Sequence, residues 1–279
     1  MLGYIEFVKE RMQIWYKKEI LRQSPPWTEN LVLQQAKFCN VYRELDTVSR
    51  YEIERVKGCG LLNCVYEICL LRHSNSIATF ETLSNYLSRS FRVHETLPDE
   101  PVSTALICWN SNFPGESQVN YVKDFQKHLG SELRALADGI LGQKTAKGVY
   151  ELLLSTLPNW HQPYIGYNEF WCYELYTSLT YCQDFKWTED DFYVIGPGCL
   201  PGLIRYSGCW SPDFEKLYQK AKAELESCED YIWIPEEHQP KNPVPHKFTR
   251  RTFEHSLCEW HKYFQIYEGK AIRRTYPGS

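Results

Sequence analysis

The chain has no apolar run of the roughly 18 residues that a membrane-spanning helix needs. The longest candidate, Gly60 to Leu71, is broken by Asn63 and Glu67. The opening stretch, Ile5-Glu6-Phe7-Val8-Lys9-Glu10-Arg11, is charged and amphipathic. A secretory signal would instead show an uncharged apolar segment and a small-residue cleavage site. An intracellular location with no membrane partner is therefore expected. None of the 11 cysteines forms a C-x-x-C pair, which counts against a zinc ribbon. Cys59, Cys64 and Cys69 recur every five residues, roughly 140° apart on a helix, and so share no face. No Gly-Lys-Ser/Thr completes a P-loop, and there is no internal repeat or low-complexity segment. Positive charge is not in excess: the formal net charge is -4. Contact with nucleic acid would need a local patch and backbone donors rather than a global basic field.

Hydrophobic residues make up 43% of the 279 and charged residues 24%, ordinary globular usage with enough chain for a real core. Aromatics are abundant at 15%, with Trp 9 and Tyr 20. Most would fill a core, and an exposed minority could stack on bases. Helical periodicity dominates. A first helix is expected over 4–22, with Ile5, Val8, Met12, Trp15, Tyr16 and Ile20 on its apolar stripe, stopped by Ser24-Pro25-Pro26. Thr28 is expected to cap a second helix reaching about Leu45. Further helices are expected near 50–56, 60–73, 76–90, 100–109, 117–129, 131–141, 145–156, 168–182, 211–227 and 249–267. Tyr231-Ile232-Trp233-Ile234 is the only short β-like run, and residues 235–245 read as extended. The expected fold is all-α: one domain over 1–279, with possible lobes 1–150 and 151–279 and a loose tail at about 268–279.

Four stretches carry candidate chemistry. In the first, Asn40 and Arg43 share a helix face with Thr47, and Asp46 is within reach of Arg43 and Arg50. This is either a surface salt-bridge network or a guanidinium held rigid for phosphate, whose oxygens match its planar fork. In the second, Leu157-Pro158 followed by Gly166-Tyr167 and an aromatic helix reads as an ordinary helix–helix turn or as a degraded helix-hairpin-helix. The latter would aim backbone N–H groups at DNA phosphate. In the third, Gly196, Gly198 and Gly202 form either a plain loop or a phosphate nest. In the fourth, Lys247, Arg250 and Arg251 are a solvated face or a contact to the DNA backbone. The helix after them has Phe253, Leu257, Trp260 and Phe264 as its core face, with Glu254, His255, Cys258, Glu259, His261 and Lys262 around the rest. His255, Cys258 and His261 do not converge on that helix, and no metal or cofactor is expected.

The order and spacing of Arg22-x4-Trp27-Thr28, Phe38-x-Asn40-Val41-Tyr42-Arg43-x2-Asp46, Gly196-Pro197-Gly198-x3-Gly202 and Glu254-x2-Leu257-Cys258-Glu259-x2-Lys262-Tyr263 resemble one family. It is the alpha-glutamyl/putrescinyl thymine pyrophosphorylases, or amino acid:DNA transferases, which share a helical domain with 5-hydroxymethyluracil DNA kinases. The resemblance runs from about residue 5 to 267. It implies a fold like the helix-hairpin-helix DNA glycosylases and a place inside a cell, an infected cell or a nucleus. It further implies a double-stranded DNA substrate whose 5-hydroxymethyluracil is activated as a phosphate or pyrophosphate, which an amino-acid or polyamine donor displaces. Relatives read Gly-Pro-Phe-x-Ala-Tyr-Gln and then Asp-Leu, where this chain has Tyr167 to Glu174 and then Ser178-Leu179, so an acid is absent at Ser178.

Such a reaction requires a flipped base, a cationic cradle for the leaving phosphate and a base for the amine. Arg22, Arg43 and Lys262 are the candidates for phosphate, with the glycine loop adding donors. Asp46, Glu254 or Glu259 would be the general base or the ammonium anchor, and Trp27 a stacking platform. The rivals are a DNA glycosylase, a non-catalytic reader of modified DNA, and a glycosyltransferase-like partner acting on the same base.

Overall fold

A computed structural model describes residues 1–74, 76–78, 80–81, 84, 131–157, 168–238 and 248–272. The protein is all-α, with no sheet among the described residues. No described helix is long and apolar enough to cross a membrane. The chain forms two compact units whose boundaries lie at 46/47 and 192/193 rather than near 150. Unit 1 is Met1–Asp46 with Tyr193–Gln239 and Pro243–Ser279, and unit 2 is Thr47–Phe192 with Pro240–Asn242. The helices expected at 100–109 and 117–129, the Pro158 to Tyr167 turn, Lys247 and the tail from 273 lie outside the described residues, as does most of 76–90.

Unit 1 is built on its last helix. α1 (Tyr4–Trp15) buries Tyr4, Phe7, Val8, Arg11, Met12 and Trp15 on one stripe. It ends earlier than expected. Residues Tyr16–Ile20 widen into a π turn, and Arg22 turns the chain at φ 52, in the left-handed region. Ile20, expected on the stripe, is exposed.

The second helix is much shorter than its apolar spacing suggests. α2 covers only Leu31–Gln35, and its cap is Asn30, whose side chain accepts from Leu33, rather than Thr28. Phe38, Val41, Tyr42 and Leu45 are all buried and carry helical spacing, yet only Arg43–Leu45 forms a single 3-10 turn. The cause is competition for the backbone. The N–H of Cys39 donates to Glu259 Oε2 at 2.8 Å, and that of Asn40 donates to Asp46 Oδ1 at 2.9 Å. Side-chain acceptors satisfy the donors a helix would have used. Asn40, Arg43 and Thr47 therefore do not line one helical face.

After α2 in the chain, unit 2 supplies α3 (Thr47–Val56) and α4 (Leu61–Ser74), then α5 (Ser131–Gly142), α6 (Ala146–Thr156) and α7 (Asn168–Leu179). Inside it, α4 packs on α3, α5 and α7, and α6 packs on α5 and α7. Among its buried apolar side chains sits a polar cluster. Arg72 reaches Glu52 through Nη2–Oε2 at 2.6 Å and Nε–Oε1 at 3.2 Å. Its Nε also donates to Ser178 Oγ at 2.7 Å, and Nη1 lies 3.8 Å from Glu174. The hydroxyl of Ser178 closes the ring by donating to Glu52 Oε2 at 3.0 Å.

The chain then returns to unit 1 as α8 (Cys199–Ser207), α9 (Phe214–Glu226) and α10 (Arg250–Tyr267). Asp213 caps α9, and Thr249 caps α10 by accepting from Thr252. Tyr231 to Ile234 is not a strand; Tyr231 and Ile234 are buried, with the Tyr231 hydroxyl on that of Tyr42 at 3.2 Å. Phe253, Leu257, Trp260 and Phe264 put the core face of α10 where their spacing predicts. Phe253 and Trp260 hold the ring of Tyr4 edge-on, both at 5.7 Å. The chain start is tied to α10 by Leu2 N donating to the Tyr263 hydroxyl and Trp260 Nε1 donating to Leu2 O.

Candidate active site

The opposite side of α10 carries Arg251, Glu254, His255, Cys258, Glu259 and Lys262. Their spacing of three and four places them along one stripe. Such a stripe is ordinarily solvated, but here Arg251, Glu254, His255 and Glu259 are all buried. Against it lies the irregular segment 37–46, anchored by Arg11, which donates to the carbonyls of Phe38 and Cys39 at 3.2 and 3.3 Å.

Several predicted residues meet there. Arg43 Nη1 is 3.1 Å from Asp46 Oδ2 and 3.9 Å from Cys39 Sγ. Asn40 faces inward as a brace: its Nδ2 donates to Leu45 O at 3.0 Å. Lys262 Nζ is 3.3 Å from Glu259 Oε2, 3.3 Å from Lys37 O, and 4.9 Å from the centre of the Phe38 ring. Glu259 thus joins Lys262 to the Cys39 backbone. The Arg43 and Lys262 side chains remain 16% and 33% exposed, so each is partly reachable from solvent. Cys39, Asp46 and His255 each present one ligand-type atom, all within 4.8 Å of one another. Burial raises the Asp46 carboxyl above its usual range against the pull of Arg43, and pushes the Cys39 thiol up to about 12. Burial, then the charges of Arg43, Arg251 and Lys262, hold the His255 imidazole well below its usual value, hence neutral.

Other candidates have different surroundings. Arg22 has 77% of its side chain in solvent, and its ion-pair partner is Glu19 at 3.5 Å. Trp27 is half-buried, with Nε1 donating to Gln23 O and Lys18 near its ring. Arg251, expected on the DNA backbone, is 2% exposed and bound to Glu254 at 2.6 Å. In this arrangement it is an internal strut. Arg250 is largely buried, its side chain 24% exposed, and grips Glu215 with two nitrogens at 2.8 and 2.9 Å.

The glycines also differ from the expected nest. The Gly196 N–H donates to Glu254 Oε1 at 3.3 Å. A Cβ at Gly198 would collide with Cys258 Sγ, and one at Gly202 would sit 2.5 Å from Leu257 O. What approaches these glycines is α10, so their small size serves the α8–α10 contact.

The family described as 5-hmdU DNA kinase, helical domain, matches residues 1–271. The chain belongs to this family. Within the family comparison, the 5-hmdU DNA kinase of Bacillus phage SP10 is 33% identical over 87 residues, which is 31% of this chain and 12% of that protein. The chain thus matches a small part of that relative's length. No solved structure matches.

Two members of the site, Cys39 and Arg11, were not singled out from the sequence of this family member, and His255 was weighed there only together with Cys258 and His261, which do not converge on the helix. Cys39 passes as an apolar helix contact. Arg11 hides in a charged amphipathic run, although its place on the Val8–Met12–Trp15 stripe marked it as a buried charge. The spacing 251, 254, 255, 258, 259 and 262 was the readable signal for the polar stripe.

Proposed function

We propose that this chain modifies DNA carrying 5-hydroxymethyluracil, moving an amine-bearing donor onto the phosphorylated or pyrophosphorylated base. The observation that carries the reading is the meeting of Arg43, Asp46, Glu259 and Lys262 at a partly open edge of unit 1. Each of the two cations there is held in place by a carboxylate, so the groups that would meet a leaving phosphate are positioned before it arrives. In the reaction, the amine nitrogen forms a bond to the C5 methylene carbon. The carbon–oxygen bond breaks, and the electron pair leaves with the (pyro)phosphate. Arg43 and Lys262 take up the charge of that departing group. Asp46 or Glu259 accepts the proton released from the new ammonium. The base must leave the duplex to reach such a site. Membership in the helical-domain family and the kinase name of its phage relative support the choice of base.

That name also favours a second reading, in which the chain is the helical companion of a kinase and serves the phosphorylation of the same base. The sequence has no P-loop, so the phosphoryl-transfer machinery would sit elsewhere. One experiment separates the two. The protein is mixed with 5-hydroxymethyluracil DNA, unmodified or phosphorylated, together with ATP and a pool of amines, and the nucleosides are weighed by mass spectrometry. Phosphate replaced by an amine supports transfer. Phosphate gained from ATP supports the kinase role. Free base released from DNA, or no mass change on any substrate, sinks both.

A further inference from the structure

We propose that Cys39, Asp46 and His255 form a binding site for one zinc-class divalent cation. The donor set is one sulfur, one oxygen and one nitrogen, which suits a borderline ion such as zinc. Their three ligand atoms lie within 4.8 Å of one another. Bonds of about 2.0–2.3 Å to a tetrahedral ion require separations of about 3.5 Å, so the atoms need to close by roughly 1 Å.

The second observation is His255 itself. The residue is 9% exposed, and its Nε2 has no hydrogen-bond partner among the described residues. A buried nitrogen left so has lost its water without return unless something takes its lone pair. A ring nitrogen that carries no proton is a lone-pair donor, the state in which a histidine ligates a metal.

Each ligand is also braced from outside. Asp46 accepts from the Asn40 N–H at 2.9 Å and from Arg43 at 3.1 Å. A carboxylate has lone pairs enough for an ion as well. The backbone of Cys39 is fixed by Glu259 and by Arg11. Outer partners of this kind orient ligands in metal sites. Cys39 and Asp46 come from the segment that gives up its helix, and the bonds that unwind it are the bonds that aim these two side chains at α10. Three protein ligands would leave a tetrahedral ion one further position to fill. The site would bind an ion whatever the substrate, and with Asp46 on the ion the base of the proposed transfer is Glu259.

The test uses the full chain, stripped with a chelator and titrated with zinc and with cobalt(II) as the spectroscopic probe. One equivalent is expected to bind and to show a thiolate-to-cobalt charge-transfer band. Cys39→Ser removes that band. His255→Gln weakens zinc binding by more than the about 10–100-fold that loss of an outer-shell partner costs. No binding, or an unchanged band and affinity in both variants, overturns the proposal. If the variants do not fold, X-ray absorption on the zinc-loaded wild-type protein decides. A shell with a single sulfur among nitrogen and oxygen ligands supports the site, whereas several sulfurs, or none, overturn it.

Discussion

The two units both bury charge, and they complete it differently. In unit 2, Arg72 and Glu52 are 5% and 1% exposed in their side chains and meet through two nitrogen–oxygen contacts. Ser178 donates and accepts within the same ring. In unit 1, the stripe on α10 mixes pairs such as Arg251–Glu254 with a histidine nitrogen that no described residue bonds. A closed ring fixes helices against each other and offers nothing to a ligand. A ring with an unfilled position, and with cations at its partly open edge, offers a place for one. Ser178 fits the first kind, with its hydroxyl inside the structural ring of unit 2.

Breaking each network tests that contrast. The largest loss is expected from Arg72→Met, which leaves Glu52 buried without its guanidinium. Removing one partner of a buried pair costs about 3–5 kcal/mol, so urea unfolding should show a fall of that order. A change under about 1 kcal/mol would mean that the ring is not closed as described. Arg43→Met should act the other way round. Its stability cost is smaller, while loss of a charge-stabilising group lowers the proposed transfer by about 10²–10³. Single-turnover assays on phosphorylated DNA read it, and unchanged turnover removes Arg43 from the site. Gly202→Ala drives a methyl to within 2.5 Å of Leu257 O. It should cost about 1–3 kcal/mol by forcing α8 off α10, seen as a lower melting temperature. Wild-type melting would restore the phosphate-nest reading of that glycine.

Next in size is Thr249→Ala, which removes the cap of α10 and should cost about 1 kcal/mol. Hydrogen exchange in residues 250–253 would report it, and unchanged protection would show that the cap is dispensable. The smallest effect concerns pH. The hydrogen bonds from Arg250 hold the Glu215 carboxyl below its usual 4.5. A depressed carboxylate stabilises the fold above the unfolded value and loses that contribution as pH falls through the folded one. Because 43% of the Glu215 side chain is exposed, the effect is a few tenths of a kcal/mol after solvent screening. The difference in stability between wild type and Glu215→Gln should therefore shrink between neutral pH and a pH well below 4.5. A constant difference would assign the effect to packing.

Much of this molecule was legible in one dimension. Thr249 and the Phe253–Leu257–Trp260–Phe264 spacing set the last helix and its core face, because capping and a 3.6-residue period are local properties. The mixed Arg43–Asp46 pairing was also readable, since a separation of three residues suffices in a single 3-10 turn. The tertiary fold decided the rest. Residues 37–42 have helical spacing but lose their helix to the carboxylates of Asp46 and of Glu259, the latter 220 positions from Cys39 along the chain. Gly198 and Gly202 announced a close approach, and only packing revealed that the approaching group is α10. Local periodicity tells which side of a helix is apolar. It does not tell whether the polar side meets water or a second layer of polar chain, because that depends on which distant backbone donors come to rest against it.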